Sequence, residues 1–268
     1  MPGRRSISVF PGQAYRRRPG GRLPAGAVSG TGCGVYRYDS GGIILAEYLQ
    51  GIVVEARGVP VTLIISLVAV LGGLVIGLLV AIAKRSGNKL LRGIATVYVD
   101  VLRGTPLLVQ VLILAYGVPQ LLKSSFGLQF NWAHMIIVGF IACGINSSAY
   151  MAEIIRSGLQ AIDIGQSEAA RSLGMSQGQT MRYVVIPQAF KIIVPAMGNE
   201  FVTLIKETSI LSVAGIVEVT RRGTLWASSS FLSFQAYIGV AVVYLVLTLT
   251  LSRLVAYIER RLAQSDRS

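Results

Sequence analysis

A chain of 268 residues in which 53% are hydrophobic and only 14% are charged is too apolar for an ordinary soluble domain, where about a quarter of the residues are charged. This composition excludes a typical soluble enzyme and predicts a membrane protein. The net charge of +13 could indicate a nucleic-acid-binding protein, but most Lys and Arg residues lie beside hydrophobic blocks or in the tails, where they set membrane orientation.

The first 42 residues are rich in Arg, Gly and Pro and contain no apolar stretch that could be the middle of a signal peptide. We expect residues 1–42 to be a disordered extension, appended or read from a start codon chosen too far upstream. The organised part of the chain is predicted at residues 43–268. Cys33 and Cys143 have no CxxC spacing, so neither a metal site nor a disulfide is indicated.

Five hydrophobic blocks follow in chain order, each long enough for a membrane helix, which takes about 20 residues. Four carry no charge: Val59 to Ala83, Gly104 to Leu122, Trp132 to Ala152 and Phe234 to Ser252. The other, Val184 to Val217, is interrupted by Lys191, Glu200, Lys206 and Glu207. The pattern predicts an all-α polytopic membrane protein with five transmembrane helices.

Basic residues after the first block predict the orientation of the chain. Lys84, Arg85, Lys89 and Arg92 lie in one short connection, and short loops rich in Lys and Arg are typically cytoplasmic. By alternation, residues 156–187 and the C-terminal tail are also predicted to be cytoplasmic. The Arg-rich N-terminal segment would then lie outside, against the same trend, and the side of the charges near residues 221–222 is left open.

The cytoplasmic segment between the third and fourth blocks contains a short predicted helix, from Gly165 to Leu173. Ser167 can cap its start, and the residues that follow favour helix. Gly174 supplies the permissive backbone expected just past a helical end. Taken alone, this segment could also be an inert surface loop.

The spacing within this segment is more specific. Glu168-Ala169-Ala170, three residues, Gly174, nine residues and Val184-x-Ile186-Pro187 resemble the EAA motif of ABC-importer permeases. Other segments are similar to the polar amino acid permeases of the histidine, glutamine and arginine type, namely RGTPLLVQ at 103–110, AYMAEI at 149–154, PQA at 187–189 and KETS at 206–209. The chain is identified as a member of this family, which implies a type I ABC importer permease fold in the bacterial inner (plasma) membrane.

The resemblance implies that the short helix, at about residues 165–174, is a coupling helix that docks into a groove on a separate ATP-hydrolysing subunit. The implied coupling residues are Gln166, Glu168, Ala169, Ala170 and Gly174. No GxxxxGK[ST] stretch occurs in the sequence, so ATP and Mg²⁺ are expected on that partner, and neither a cofactor nor enzymatic activity is expected in this chain. The other implied partners are an extracytoplasmic amino acid-binding protein and a second, identical or related permease chain; membrane lipid is expected around them, and nucleic acid is not.

The fourth block has a polar side. Glu200, Thr203 and Glu207 fall at i, i+3 and i+7, and Asn199 and Lys206 lie on the adjoining stripe. Charges inside a bilayer tend to face a cavity or a partner, so these residues are candidates for substrate contact. The alternatives are that the charges pair between helices or lie at the outer membrane interface.

Asn146 and Tyr150 share one face of the third block and are further candidates for cavity lining, although such residues also hold membrane helices together. The predicted function is a transmembrane permease that imports polar amino acids, driven by ATP hydrolysis on a separate subunit. The alternatives are an ABC permease for another small solute, such as an opine or a compatible solute, an ion-coupled secondary carrier or channel, and a structural membrane scaffold.

Overall fold

A computed structural model describes residues 41–264 of the chain, with side chains described from residue 46 to residue 262. Residues 1–40 of the predicted extension lie outside the described residues. Within the described range every regular element is helical, which confirms the all-α prediction. In chain order the helices are α1 (Gly41–Ala56), α2 (Val59–Lys84), α3 (Lys89–Gly104), α4 (Leu107–Leu112), α5 (Val118–Phe126), α6 (Met135–Gln160), α7 (Ile164–Ser172), α8 (Gln177–Thr180), α9 (Ile186–Glu207), α10 (Val219–Ser230) and α11 (Ser233–Gln264).

Four helical stretches among the described residues are long and apolar enough to cross a membrane: Ala46–Lys84, Leu107–Phe126, Met135–Gln160 and Ser233–Leu262. The number predicted from the sequence is one higher. The difference is α9, which with 22 residues would be about 33 Å long. This length is sufficient to cross a membrane, but the four charged residues of α9 lower its mean hydropathy.

A seam of small residues joins α2 to α6 and is the most extensive helix contact in the described chain. A Cβ atom added at Gly77 would lie 2.7 Å from Met151 Cβ, and one added at Gly73 would lie 3.1 Å from Ser147 Cβ. Small residues allow the backbones of membrane helices to approach closely. Because the residue numbers on both helices increase from one contact to the next, α2 and α6 run parallel.

The helix α9 packs against α6 in the opposite direction. Ile193 contacts Gly158 near one end of α6, and Leu211, just after α9, contacts Gly139 near the other. We call the end of the bundle that carries α7 the α7 end, and the end that carries α10 the α10 end. The α7 end is the one predicted to be cytoplasmic.

The second predicted block is broken by two extended residues. Thr105 has φ −115° and ψ 140°, and Pro106 has φ −62° and ψ 137°, so α3 stops at Gly104 and α4 starts at Leu107. Proline lacks an amide hydrogen and disfavours helix in the residue before it, which explains the position of the break. A π-helical turn at Ile113–Gly117 then leads into α5.

At the α10 end, a buried carboxylate starts α10. Both oxygens of Glu218 accept hydrogen bonds from backbone amides, from Arg221 N and Thr220 N at 2.8 Å each, and Tyr244 Oη donates to Glu218 at 2.7 Å. Burial raises the pKa of Glu218, and these hydrogen bonds oppose the rise. The carboxylate therefore fixes the entry into α10 and ties α10 to α11.

Candidate functional site

The short predicted helix is present as α7, and its cap differs from the prediction. The side chain of Asp163 accepts a hydrogen bond from Gly165 N at 2.6 Å, and the helix begins at Ile164. The prediction that Ser167 caps this helix is therefore wrong. It lies in the first turn of a helix that Asp163, four residues earlier, already caps, because a carboxylate placed just before a helix can accept from its free amides.

The other end of α7 closes as the sequence predicts. Gly174 has φ +86°, the left-handed conformation that glycine adopts without steric strain. Met175 N donates to Ala170 O at 3.2 Å, so the chain turns back at once towards α8. At the start of α7, Gln188 Nε2 of α9 donates to Gln166 Oε1 at 3.3 Å. The direction of α7 is thus fixed by its own C-terminal turn and by a contact with α9.

One side of α7 is left uncovered by the residues that the structure describes. Ala170 is buried, whereas Gln166, Glu168, Ala169 and Gly174 are exposed. Two apolar side chains flank them, Ile164 with 74% and Leu173 with 86% of its surface exposed. These two residues were not among the predicted coupling residues. Their signal in the sequence was an apolar residue at each end of an otherwise polar helix.

A second candidate site is the polar stripe of α9. Asn199, Thr203 and Lys206 are exposed, and Glu200 and Glu207 are half-buried. Among the side chains that the structure describes, ion pairs within 4.0 Å join Lys84 and Arg156 to Glu153, and none involves a charge of this stripe. Among the described side chains, the acidic and basic groups of the stripe therefore make no close ion pair with another helix.

Arg103 joins this site, although the sequence did not single it out. Its guanidinium carbon lies 5.4 Å from the centroid of the Tyr150 ring, and Arg103 is within electrostatic range of Glu200. Tyr150, Arg103 and Glu200 come from α6, the end of α3 and α9. The available signal was a lone arginine immediately before the block Gly104 to Leu122. A cation stacked on an aromatic ring thus lies within electrostatic range of a carboxylate of the stripe.

Asn146, unlike the other candidates for substrate contact, makes a hydrogen bond that connects two helices. It is buried, and its Nδ2 donates to Gln110 Oε1 at 3.1 Å. Gln110 Nε2 in turn donates to Leu102 O at 2.9 Å and to Thr105 O at 3.2 Å, carbonyls that the break after α3 leaves without helical partners. The pair braces the break, a contact between helices of the kind that small polar residues make in membranes.

Comparison with known proteins identifies relatives over most of the chain. Residues 73–264 match the family of binding-protein-dependent transport system inner membrane components. The arginine transport system permease protein ArtQ of Bacillus subtilis (strain 168) is 39% identical over 210 residues, 78% of this chain and 93% of ArtQ. The glutamine transport system permease protein GlnP of Escherichia coli (strain K12) is 38% identical over 206 residues, 77% of this chain and 91% of GlnP.

A solved structure gives the same assignment. The crystal structure of an amino acid ABC transporter with histidines contains a chain that is 43% identical, with a TM-score of 0.73 over 83% of this chain and 99% of that one. The match of the family model to most of the transport domain, together with an all-helical bundle that carries the EAA segment at α7, decides the family. The chain belongs to the binding-protein-dependent transport system inner membrane components, the permease subunits of ABC importers.

Proposed function

We propose that this permease imports polar amino acids, taking substrate from an extracytoplasmic binding protein and using ATP hydrolysed on a separate subunit. The names of ArtQ and GlnP refer to arginine and glutamine, and the related crystal structure is of an amino acid transporter, which supports this class of substrate over an opine or a compatible solute.

The observation that carries the proposal is the polar stripe of α9, whose charges make no ion pair within 4.0 Å with another described side chain. A charge that faces lipid costs several kcal/mol, about 2.5–3.5 by insertion measurements, so membrane helices turn such residues towards water or towards another chain. Lys206 is exposed and Glu200 is half-buried in the single chain. A second permease chain, identical or related, would enclose this stripe and form a polar passage between the two subunits.

The charges beside the passage match the two ends of an amino acid. Glu200 can accept hydrogen bonds from an α-ammonium group, and Arg103 or Lys206 can donate to an α-carboxylate. The ring of Tyr150, already 5.4 Å from the Arg103 guanidinium carbon, offers a face for a cationic or planar polar side chain. Both signs of charge are present, so the stripe suits a zwitterion better than a simple anion or cation.

The exposed side of α7 supports an ATPase partner. Ile164 and Leu173 bracket a surface of small and polar side chains that includes Glu168 and Ala169. A groove on a second protein could bury both apolar residues, and the short rigid helix would then pass a displacement to α6 and α9 on either side. ATP and Mg²⁺ would bind that partner, and this chain would contribute neither a cofactor nor catalysis.

The test measures uptake of labelled amino acids in proteoliposomes that contain the permease, its ATP-binding partner and its binding protein. Glu168→Lys reverses a charge on the exposed side of α7, and we expect uptake to fall at least tenfold, with less ATP-binding chain co-purified. Glu259→Lys, at an exposed position of α11, is the matched control and should leave both measurements unchanged.

Two results would contradict the proposal. The first is transport by the isolated permease driven by an ion gradient without ATP, which would indicate a secondary carrier. The second is equal uptake by Glu168→Lys and Glu259→Lys, which would separate α7 from the energy-coupling step. Uptake of an opine or a compatible solute in place of amino acids would be consistent with an ABC importer but would contradict the proposed substrate class.

A further inference from the structure

A large apolar groove opens at the α7 end, between α2, α3 and α9, with Ile155 and Leu159 of α6 as its floor. Its volume is about 1330 Å³, above the range of about 300–1,000 Å³ typical of small-molecule pockets. The walls are formed by large side chains, among them Leu79, Ile94 and Ile193. Interfaces between membrane helices are instead enriched in small residues that let backbones approach. An open groove lined by large side chains is better suited to hold flexible acyl chains than a packed helix.

The groove has three polar lining residues, and two of them lie where α2 ends. Tyr98 is one polar residue of the lining, and its hydroxyl is hydrogen-bonded to Ser148 Oγ at 2.6 Å. The others are Arg85 and Ser86, which line the mouth. Arg85 is exposed and makes no ion pair within 4.0 Å to any side chain of the described range. Ser86 Oγ accepts from Asn88 N at 3.2 Å, which leaves its hydroxyl hydrogen available to a ligand.

The charge around this mouth is positive. Lys84, Arg85, Lys89 and Arg92 lie within one short stretch, and only Lys84 among them pairs with a described carboxylate, Glu153, at 3.5 Å. The segments that form the walls contain no Asp or Glu at all, either in residues 56–99 or in residues 169–199. Basic pockets between transmembrane helices on the cytoplasmic side are suited to anionic lipid headgroups.

We propose that the groove is a binding site for an anionic phospholipid. Its acyl chains lie against Leu79, Ile94 and Ile193, and its phosphate accepts hydrogen bonds from the Arg85 guanidinium and the Ser86 hydroxyl. A bound lipid would fill the gap between α2, α3 and α9 and would connect α9 to α2. The site is separate from the polar stripe of α9 and does not depend on the transported substrate.

The test counts lipids on the full-length chain by native mass spectrometry. Protein is incubated with phosphatidylglycerol or phosphatidylethanolamine of identical acyl chains, and the adduct fractions are compared. We expect more phosphatidylglycerol adducts on the unmodified chain. Arg85→Gln should lower them about fivefold, the effect of one basic residue at a membrane surface, and leave phosphatidylethanolamine unchanged. Arg85→Lys should retain most of the binding.

Two further variants separate the groove from general charge and from folding. Arg260→Gln removes an exposed arginine of α11 that does not line the groove, and should have no effect on adducts. Ile94→Trp fills the groove and should lower the adducts of both lipids while the chain stays monodisperse with an unchanged melting temperature.

Three results would overturn the proposal: equal adduct fractions for the two lipids, equal effects of Arg85→Gln and Arg260→Gln, or efficient disulfide cross-linking of two Ile94→Cys chains through the groove. The last would assign the groove to a second copy of the chain. Because the measurement needs no transport, its outcome is independent of the proposed substrate and of the energy-coupling partner.

Discussion

The seam between α2 and α6 and the polar stripe of α9 are both built on membrane helices, but only the seam is complete within one chain. At the seam, Gly73 and Gly77 pack directly on Ser147 and Met151, and a Cβ atom would be crowded at Gly73 and would clash at Gly77. On the stripe, Asn199, Thr203 and Lys206 are exposed, and Glu200, Lys206 and Glu207 make no ion pair within 4.0 Å with another described side chain. The seam holds the subunit together, and the stripe is the part that needs water, substrate or a second chain.

The largest expected effect comes from breaking the seam. Gly77→Leu would force a side chain into a position where even its Cβ lies 2.7 Å from Met151 Cβ and 2.8 Å from Ser148 O. Overpacking a tight contact typically costs about 1–3 kcal/mol, and with backbone on one side we expect the upper end of that range or more. The measurement is the yield of monodisperse protein after extraction and its melting temperature.

The neighbouring glycine gives the control for this prediction. A Cβ atom at Gly72 meets nothing within 4 Å, although Gly72 lies on the same helix and one residue away from the seam. Gly72→Leu should therefore be recovered in normal yield with an unchanged melting temperature. Equal losses for the two variants would mean that the seam is not the tight contact described.

The difference between the two regions also explains what the sequence could predict. Hydrophobic blocks and a glycine after a short helix are local patterns, and they indicated the all-α fold, the short helix at α7 and the left-handed turn at Gly174. Local patterns also misled where two signals compete: Ser167 and Asp163 can both cap a helix, and the one that comes first along the chain does so.

Contacts between distant segments were not predictable in this way. Arg103 meets Tyr150 only because α3 ends at the break before Pro106 and packs against α6. The bracing of that break by Gln110 likewise depends on the position of Asn146 on another helix. The count of spans differed because hydropathy does not show whether the charges of α9 face lipid or a passage.

A smaller effect, on transport alone, is expected from changing the stripe. Glu200→Gln keeps the shape of the side chain and removes the charge that we assign to the substrate ammonium group. We expect uptake to fall about tenfold, which corresponds to about 1.4 kcal/mol, with no change in melting temperature. The readout is uptake at several substrate concentrations, so that weaker binding can be separated from slower turnover.

Glu259→Gln provides the matched control for Glu200→Gln, because Glu259 is an exposed carboxylate of α11 that is not part of the stripe. Its uptake should equal that of the unmodified chain. If Glu200→Gln lowered the melting temperature as much as it lowered uptake, Glu200 would belong to the structural contacts of the bundle, and the contrast between seam and stripe would no longer hold at this residue.

The smallest effect is expected at the contact between α6 and the break that separates α3 from α4. Gln110→Ala removes the amide that donates to Leu102 O and Thr105 O, and it removes the acceptor for Asn146 Nδ2. Side-chain hydrogen bonds between membrane helices contribute about 0.6 kcal/mol on average and up to about 1.7. We therefore expect a loss of stability of about 1 kcal/mol, measured by reversible unfolding in mixed micelles.

A double-mutant cycle with Asn146→Ala distinguishes a shared brace from two independent contacts. If Gln110 and Asn146 act as one unit, the double variant should lose less stability than the sum of the two single variants. Gln120→Ala, an exposed glutamine of α5 beyond the break, controls for the loss of an amide and should leave stability unchanged. Strict additivity would instead mean that Gln110 and Asn146 stabilise the break through two independent contacts.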